Sequence, residues 1–183
     1  MKTKNNLMTA LLTAALCVIA PVAVPLGPIP VTLATLGVYL AAGLLGPLRG
    51  SGAVGLYLVL GAVGVPVFAG FTGGLQQLTG VTGGFLWGYL LCALVAGVLC
   101  RLWRHPALVP VALACGTAVL YALGCGWYAW QAEVTLGSAL WLCLPSLPGE
   151  IVKIAVATGL ILSLRGRVSR LLTEGMDQKE GSV

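Results

Sequence analysis

The sequence predicts an all-α integral membrane protein, a single domain of six transmembrane helices with both termini in the cytoplasm. Three observations predict it. Of 183 residues, 58% are hydrophobic and only 8% are charged, with a mean hydropathy of +1.00. Soluble chains average roughly 25% charged residues, and a chain this apolar could not cover a soluble surface. Nine of the ten Lys and Arg residues fall in five places: Lys2 and Lys4; Arg49; Arg101 and Arg104; Arg165, Arg167 and Arg170; and Lys179. Long apolar runs separate them. The chain also carries 26 glycines, about twice the usual ~7%, which suits helices whose backbones approach closely in lipid.

Apolar runs bounded by Gly, Pro or Arg give the spans in order. The first covers about 7–24 and stops at Pro25-Leu-Gly-Pro28. The segment 1–20 has the charge and apolar run of a signal peptide. Leu16 before Cys17 is too large for a typical lipoprotein cleavage site, and no clear small-x-small site follows before Pro21 and Pro25, so a retained helix is expected. The second span, about 31–45, is short, roughly 22 Å at 1.5 Å per residue; it needs a thinned bilayer or cover from its neighbours. The third covers about 50–65 and stops before Pro66.

Residues 67–82 read as a Gly- and Thr-rich loop without charge. A loop at membrane depth must be buried in protein or line a cavity. The fourth span, about 83–102, ends at the basic Arg101-Leu-Trp-Arg-His105 segment, and the fifth covers about 106–123. Residues 124–147, with Trp127, Tyr128, Trp130 and Trp141, read as an interfacial loop and short amphipathic helix. The sixth span covers about 148–164, and the polar stretch 173–183 reads as disordered.

Orientation follows from the cations. With the N-terminus in the cytoplasm, the flanking Lys and Arg lie in cytoplasmic segments, while the 1–2, 3–4 and 5–6 connections carry none. That asymmetry is the positive-inside pattern. The formal charge of +5 is therefore a topology signal, and no basic face with interleaved aromatics points to nucleic acid.

The tenth cation, Lys153, lies inside the last apolar run, three residues after Glu150. Positions three apart share a helix face. An ionisable residue within an apolar span costs at least ~2.5–3.5 kcal/mol, which makes it a functional candidate. Two readings stay open: a solute-binding pair, or an interfacial ion pair in which Glu150 suits the helix dipole and Lys153 snorkels outward. In the 67–82 loop, Gln76, Gln77, Thr79 and Thr82 offer neutral hydrogen-bonding groups, the alternative being a re-entrant connector. Gly80-x-x-x-Gly84-x-x-x-Gly88 gives the next helix a small-residue packing face, and Ala10-x-x-x-Ala14 does the same on the first helix.

The six cysteines show no metal or redox spacing. Most read as small apolar packing residues; Cys125 and Cys143 could pair on the outer side. The single His105 flanks a span. No nucleotide-binding loop, Gly-x-Ser-x-Gly or paired-carboxylate motif is present. The residues carry no enzyme signature and call for no cofactor; if the chain drives uptake, the energy comes from a partner or a gradient.

Several segments together resemble the BioY family of biotin transport proteins. They are Pro28-Ile-Pro-Val-Thr32-Leu-Ala-Thr-Leu-Gly37, Gly46-Pro-Leu-Arg-Gly50, Leu60-Gly-Ala-Val-Gly-Val-Pro-Val-Phe-Ala-Gly70, Gly80-Val-Thr-Gly-Gly-Phe85 and Leu147-Pro-Gly-Glu150-Ile-Val-Lys153. The resemblance spans residues 7–165 in order. It implies a substrate-binding S component of an energy-coupling factor transporter, with a six-helix bundle binding biotin from the outer side beneath the 1–2 and 3–4 loops. It further implies a transmembrane coupling protein and two ABC-type ATPases as partners, with Ala10 and Ala14 facing the coupling protein. Glu150-x-x-Lys153 stands where the family usually has Asp-x-x-Lys, and Ala34 where it commonly has Gln. The expected site comprises Lys153 on a polar group of biotin, Glu150 orienting it or accepting a ureido N–H, polar groups from Thr32, Gln76, Gln77 and Thr82, and aromatics Phe85, Tyr89, Tyr121 and Trp127. Other functions compatible with the residues are an S component for another vitamin, a solitary facilitator, or a membrane protein without a small-molecule ligand.

Overall fold

The computed structural model describes the backbone of residues 2–24, 30–103 and 105–180, and side chains within these segments from residue 6 to residue 165. The Pro25–Pro28 stop and Arg104 lie outside the described residues, as do the side chains of Lys2, Lys4, Arg167, Arg170 and Lys179. The protein is mostly helical. Six helices of twelve residues or more form the bundle: α1 (Lys2–Ile19), α2 (Ala34–Leu45), α3 (Pro47–Ala62), α5 (Gly83–Leu102), α6 (Val109–Gln131) and α8 (Leu147–Glu180). Two short helices, α4 (Leu75–Thr79) and α7 (Leu136–Cys143), lie between them. Segments 83–102, 106–131 and 136–165 are long and apolar enough to cross a membrane, and 6–19 and 34–45 are shorter apolar helices.

The first two expected spans are corrected. Helix α1 ends at Ile19, and the chain becomes a strand, β1 (Ala23–Val24), antiparallel to β2 (Val31–Thr32). Pro21 cannot continue a helix, and the β-branched residues at 22, 24, 31 and 32 suit extended backbone. Helix α2 consequently starts at Ala34 and is only 12 residues long. It can be short because protein surrounds it: Val38, Tyr39, Ala41 and Ala42 are wholly buried. Gly37 receives Leu16 of α1, and Gly43 receives Ile161 of α8, each where any Cβ would collide.

Helix α3 starts three residues earlier than expected, with Pro47 at its first position, where the missing N–H costs nothing. The 67–82 segment is folded rather than slack. Phe68 bridges to Thr72, and Phe71 (φ 59°) and Gly70 (φ 68°) take left-handed backbone in the turn between them. The Gly70 N–H donates to the Pro21 carbonyl at 3.0 Å, tying this loop to the end of α1. The Phe68 ring sits edge-on to Tyr57 at 5.5 Å, over Gly61, where a side chain would displace it.

The α5–α6 pair matches the expected small-residue face. A Cβ on Gly88 would lie 2.7 Å from Leu120, and one on Gly84 would strike Trp127. Helix α6 runs to Gln131, eight residues past its expected end, so Trp127, Tyr128 and Trp130 are helical. The aromatics continue the helix because Trp127 packs on Gly84 and Phe85 fills the notch at Gly124. The expected short helix is α7, held at its start by the Thr135 side chain accepting from the Ser138 N–H. Helix α8 continues through Glu180, past its expected end near 164 and through part of the stretch read as disordered. Arg, Leu, Met, Gln, Glu and Lys there propagate helix readily, and extending a formed helix avoids a new nucleus.

Candidate functional site

The bundle has two chemically different ends. Arg49, Arg101 and Arg165 mark one; there the Arg165 guanidinium donates to the Gly43 carbonyl (3.4 Å) and the Cys100 carbonyl (3.1 Å), clasping the C-terminal ends of α2 and α5. At the other end the β1–β2 ribbon, the 67–82 loop and the turn before α8 converge. They enclose a cavity of about 210 Å³ among α2, α5, α6 and α8.

The sequence builds its polar floor locally. Pro148 and Gly149 open α8, which places Glu150 in its first turn and Lys153 one turn deeper on the same face. Glu150 and Lys153 are 5% and 7% exposed. The Lys153 ammonium donates to Glu150 Oε1 (2.6 Å), the Thr32 carbonyl (2.7 Å) and Thr35 Oγ1 (3.0 Å). An ammonium has three donors, and all three are taken. The Thr32 carbonyl accepts from Lys153 at the point where β2 gives way to α2.

Glu150 is held from α2 as well. Thr35 donates to its Oε1 at 3.1 Å and Tyr39 to its Oε2 at 2.8 Å. Thr35 and Tyr39 are four residues apart, hence on one face of α2. The Tyr39 hydroxyl also lies 2.6 Å from Thr117 of α6. Helices α2 and α8 thus meet on one carboxylate, and α6 joins them through the Tyr39 hydroxyl. Among the described residues no buried side-chain polar atom lacks a partner, so the pair meets the condition under which buried ions are tolerated.

Most of the expected residues reach the cavity wall: Glu150, Thr32, Gln77, Thr82, Phe85, Tyr89 and Tyr121 all line it. Tyr89 places its hydroxyl 3.2 Å from Thr32 Oγ1, and Phe85 and Tyr121 meet edge-on at 6.1 Å. Three expected residues stand off the wall. Lys153 is directed into the protein behind Glu150. Gln76 is exposed on the outer face of α4. The Trp127 indole N–H donates to the Gly80 carbonyl at 3.0 Å, fastening the end of the 67–82 loop to α6.

Sequence reading missed Thr35, Tyr39, Thr117, Phe68, Thr72 and Ser146. The i, i+4 spacing of Thr35 and Tyr39 within an apolar helix was the available signal for the first two. Thr72 and Ser146 reach the wall only through loop and turn geometry, which no periodicity announces. No group of three His, Cys, Asp or Glu residues among the described residues could hold a metal ion.

Comparison with known proteins agrees across sequence and structure. A biotin transporter BioY of Rhodobacter capsulatus is 40% identical over 172 residues, covering 84% of this chain and 88% of that protein. One from Thermotoga maritima is 41% identical over 121 residues, 66% of this chain and 72% of the relative. A 2.1 Å crystal structure of the S component for biotin from an ECF-type ABC transporter superposes with a TM-score of 0.86 at 26% identity, covering 90% of this chain and 92% of that one. With the sequence model of the BioY family matching residues 1–170, the chain belongs to the BioY family.

Proposed function

We propose that this protein takes up biotin as the membrane-embedded, substrate-specific S component of an ECF-type transporter. The observation that carries this reading is the fold-wide likeness to the S component for biotin, at a TM-score of 0.86 over 90% of the chain. Biotin occupies the cavity above Glu150. Each carboxylate oxygen has two lone pairs; Oε1 accepts from Lys153 and Thr35, while Oε2 accepts from Tyr39 alone among the bonds described. The remaining capacity on Oε2 accepts a ureido N–H of biotin. Lys153 pairs with the carboxylate from behind without touching the ligand. Thr32, Gln77, Thr82 and Tyr89 supply the other polar contacts, and Phe85 and Tyr121 pack against the fused rings and tail.

The clustering of Arg49, Arg101 and Arg165 at the opposite end supports an outward-facing cavity and cytoplasmic termini. Six helices then cross the membrane, with α2 sheltered by its neighbours. Ala10 and Ala14 are exposed on α1 beside Leu7, Leu11 and Val18, an apolar stripe with the period of one helix face. That stripe packs on the transmembrane coupling protein, and two ABC-type ATPases bound to the coupling protein supply the energy.

The test is equilibrium binding of radiolabelled biotin to the purified protein, with other vitamins as competitors. The reading expects saturable biotin binding, and a drop in affinity of about 10- to 150-fold in Glu150→Gln, corresponding to one charge-assisted hydrogen bond. No biotin binding, or displacement by an unrelated vitamin, overturns the ligand. Unchanged affinity in Glu150→Gln overturns the site.

A further inference from the structure

A second cluster lies beside the cavity and contributes nothing to its polar floor. Cys125 near the end of α6 and Cys143 at the end of α7 bring their Sγ atoms to 2.8 Å. Both are buried, at 2% and 3% exposure. An S–S bond is about 2.05 Å long, so the sulfurs stand within about 1 Å of bonding distance. Among the described residues no other two cysteines make such a contact.

Helix α7 docks on α6 through a narrow face of Ala139, Leu142 and Cys143. Leu136, Leu140 and Trp141 are 61%, 56% and 76% exposed, and the buried residues of the helix are Ala139 and Cys143. Yet its position matters to the cavity. Its C-terminal end leads through the Leu144–Ser146 turn directly into α8 and Glu150. Ser146 lines the cavity, and Phe85 and Tyr121 belong both to the cavity wall and to the packing around the two thiols.

We propose that Cys125 and Cys143 are a disulfide-forming site that staples α7 to α6 and thereby fixes this wall of the cavity. The proposal rests on the outward orientation of that end, because disulfides persist outside the cytosol and not within it. The co-reactant is an extracytoplasmic dithiol oxidoreductase or a small disulfide. A thiolate of the pair attacks its disulfide and forms a mixed disulfide, which the second thiolate resolves. Two thiols lose two protons and two electrons to form one S–S bond, and the donor leaves as two thiols. The sulfurs are buried once docked, so exchange occurs as α7 comes onto α6.

The test uses the full chain in membranes, with free thiols trapped by N-ethylmaleimide, denatured, and counted by intact mass before and after reduction. Of six cysteines, the wild type is expected to show four free thiols before reduction and six after. Cys125→Ser and Cys143→Ser should each show five in both states. Reduction should also speed biotin release from the wild type severalfold and leave the rate unchanged in Cys125→Ser. Six free thiols in a wild type that binds biotin overturn the disulfide and leave the transport reading standing. Four free thiols in a chain that binds no biotin do the reverse. A release rate insensitive to reduction overturns the staple's role at the cavity.

Discussion

Glu150 and Lys153 form an ion pair at 2.6 Å in which only the carboxylate reaches the cavity. The cation lies behind it, saturated by Thr32 and Thr35. In the proposed site the ligand therefore meets an acceptor whose charge is already balanced, with the lysine acting through the glutamate.

Removing one partner strands the other. Lys153→Ala leaves Glu150 buried without its counter-ion, which costs about 3–5 kcal/mol. The expected outcome is a sharp fall in the midpoint of thermal unfolding together with lost biotin binding. The double variant Glu150→Gln/Lys153→Met removes both charges and should regain most of the stability without regaining affinity. Recovery of tight binding in the double variant would show that the charge on Glu150 is dispensable.

Tyr39 offers a gentler probe. It is wholly buried and donates to Glu150 Oε2 from α2. Tyr39→Phe keeps the ring and deletes the hydroxyl, so packing survives while the carboxylate loses one of its orienting bonds. A net hydrogen bond to a charged group is worth about 1.5–3 kcal/mol. Part of that loss falls on binding, and the expected effect is a roughly 5- to 30-fold higher Kd for biotin with unchanged expression. Calorimetric titration measures it, and an unaltered Kd would detach Tyr39 from the site.

Much of this arrangement could be read from the sequence because membrane insertion penalises charge. Lys153 and Glu150 stood out as the ionisable pair in an apolar run, and the helix period alone put them on one face. The α5–α6 contact was legible for a similar reason, since Gly84 and Gly88 are spaced to receive a neighbouring helix. What was illegible depends on chain direction outside helices. Pro21 and the β-branched residues at 22, 24, 31 and 32 permit extended backbone, but nothing in them announces that the Thr32 carbonyl is presented to Lys153. Nor does hydropathy tell a tryptophan in an interfacial loop from Trp127 on a helix, where it pins the Gly80 carbonyl. The sequence could not show the three acceptors of Lys153, because two of them, Thr32 and Thr35, lie more than a hundred residues away.

Glycine substitutions separate packing from propensity. Gly84→Ala places a methyl against Trp127 on the facing helix, and overpacking of this kind costs about 1–3 kcal/mol. Gly159 in α8 has nothing within 4 Å of an added Cβ, so Gly159→Ala should be neutral or stabilise by up to about 1 kcal/mol through helix propensity. Thermal unfolding of the isolated protein in detergent should lower the midpoint for the first and hold or raise it for the second. Equal effects would mean that α5 and α6 do not approach closely at Gly84.

The exposed stripe on α1 predicts a separation of binding from transport. Ala14 lies on the outer surface of the bundle, away from the cavity-lining residues, so Ala14→Trp leaves the biotin site untouched and should bind biotin with unchanged Kd. In the proposed transporter the same surface meets the coupling protein, where an indole in place of a methyl holds the helices apart and breaks a contact built on small residues. Co-purification with the coupling protein should fail, and uptake of biotin by cells should fall to background. A variant that loses biotin binding would show that α1 shapes the cavity after all. Assembly and uptake at wild-type level would move the partner surface to another helix, and the exposed apolar residues of α8, Ile151, Val152 and Val156, would be the next to replace.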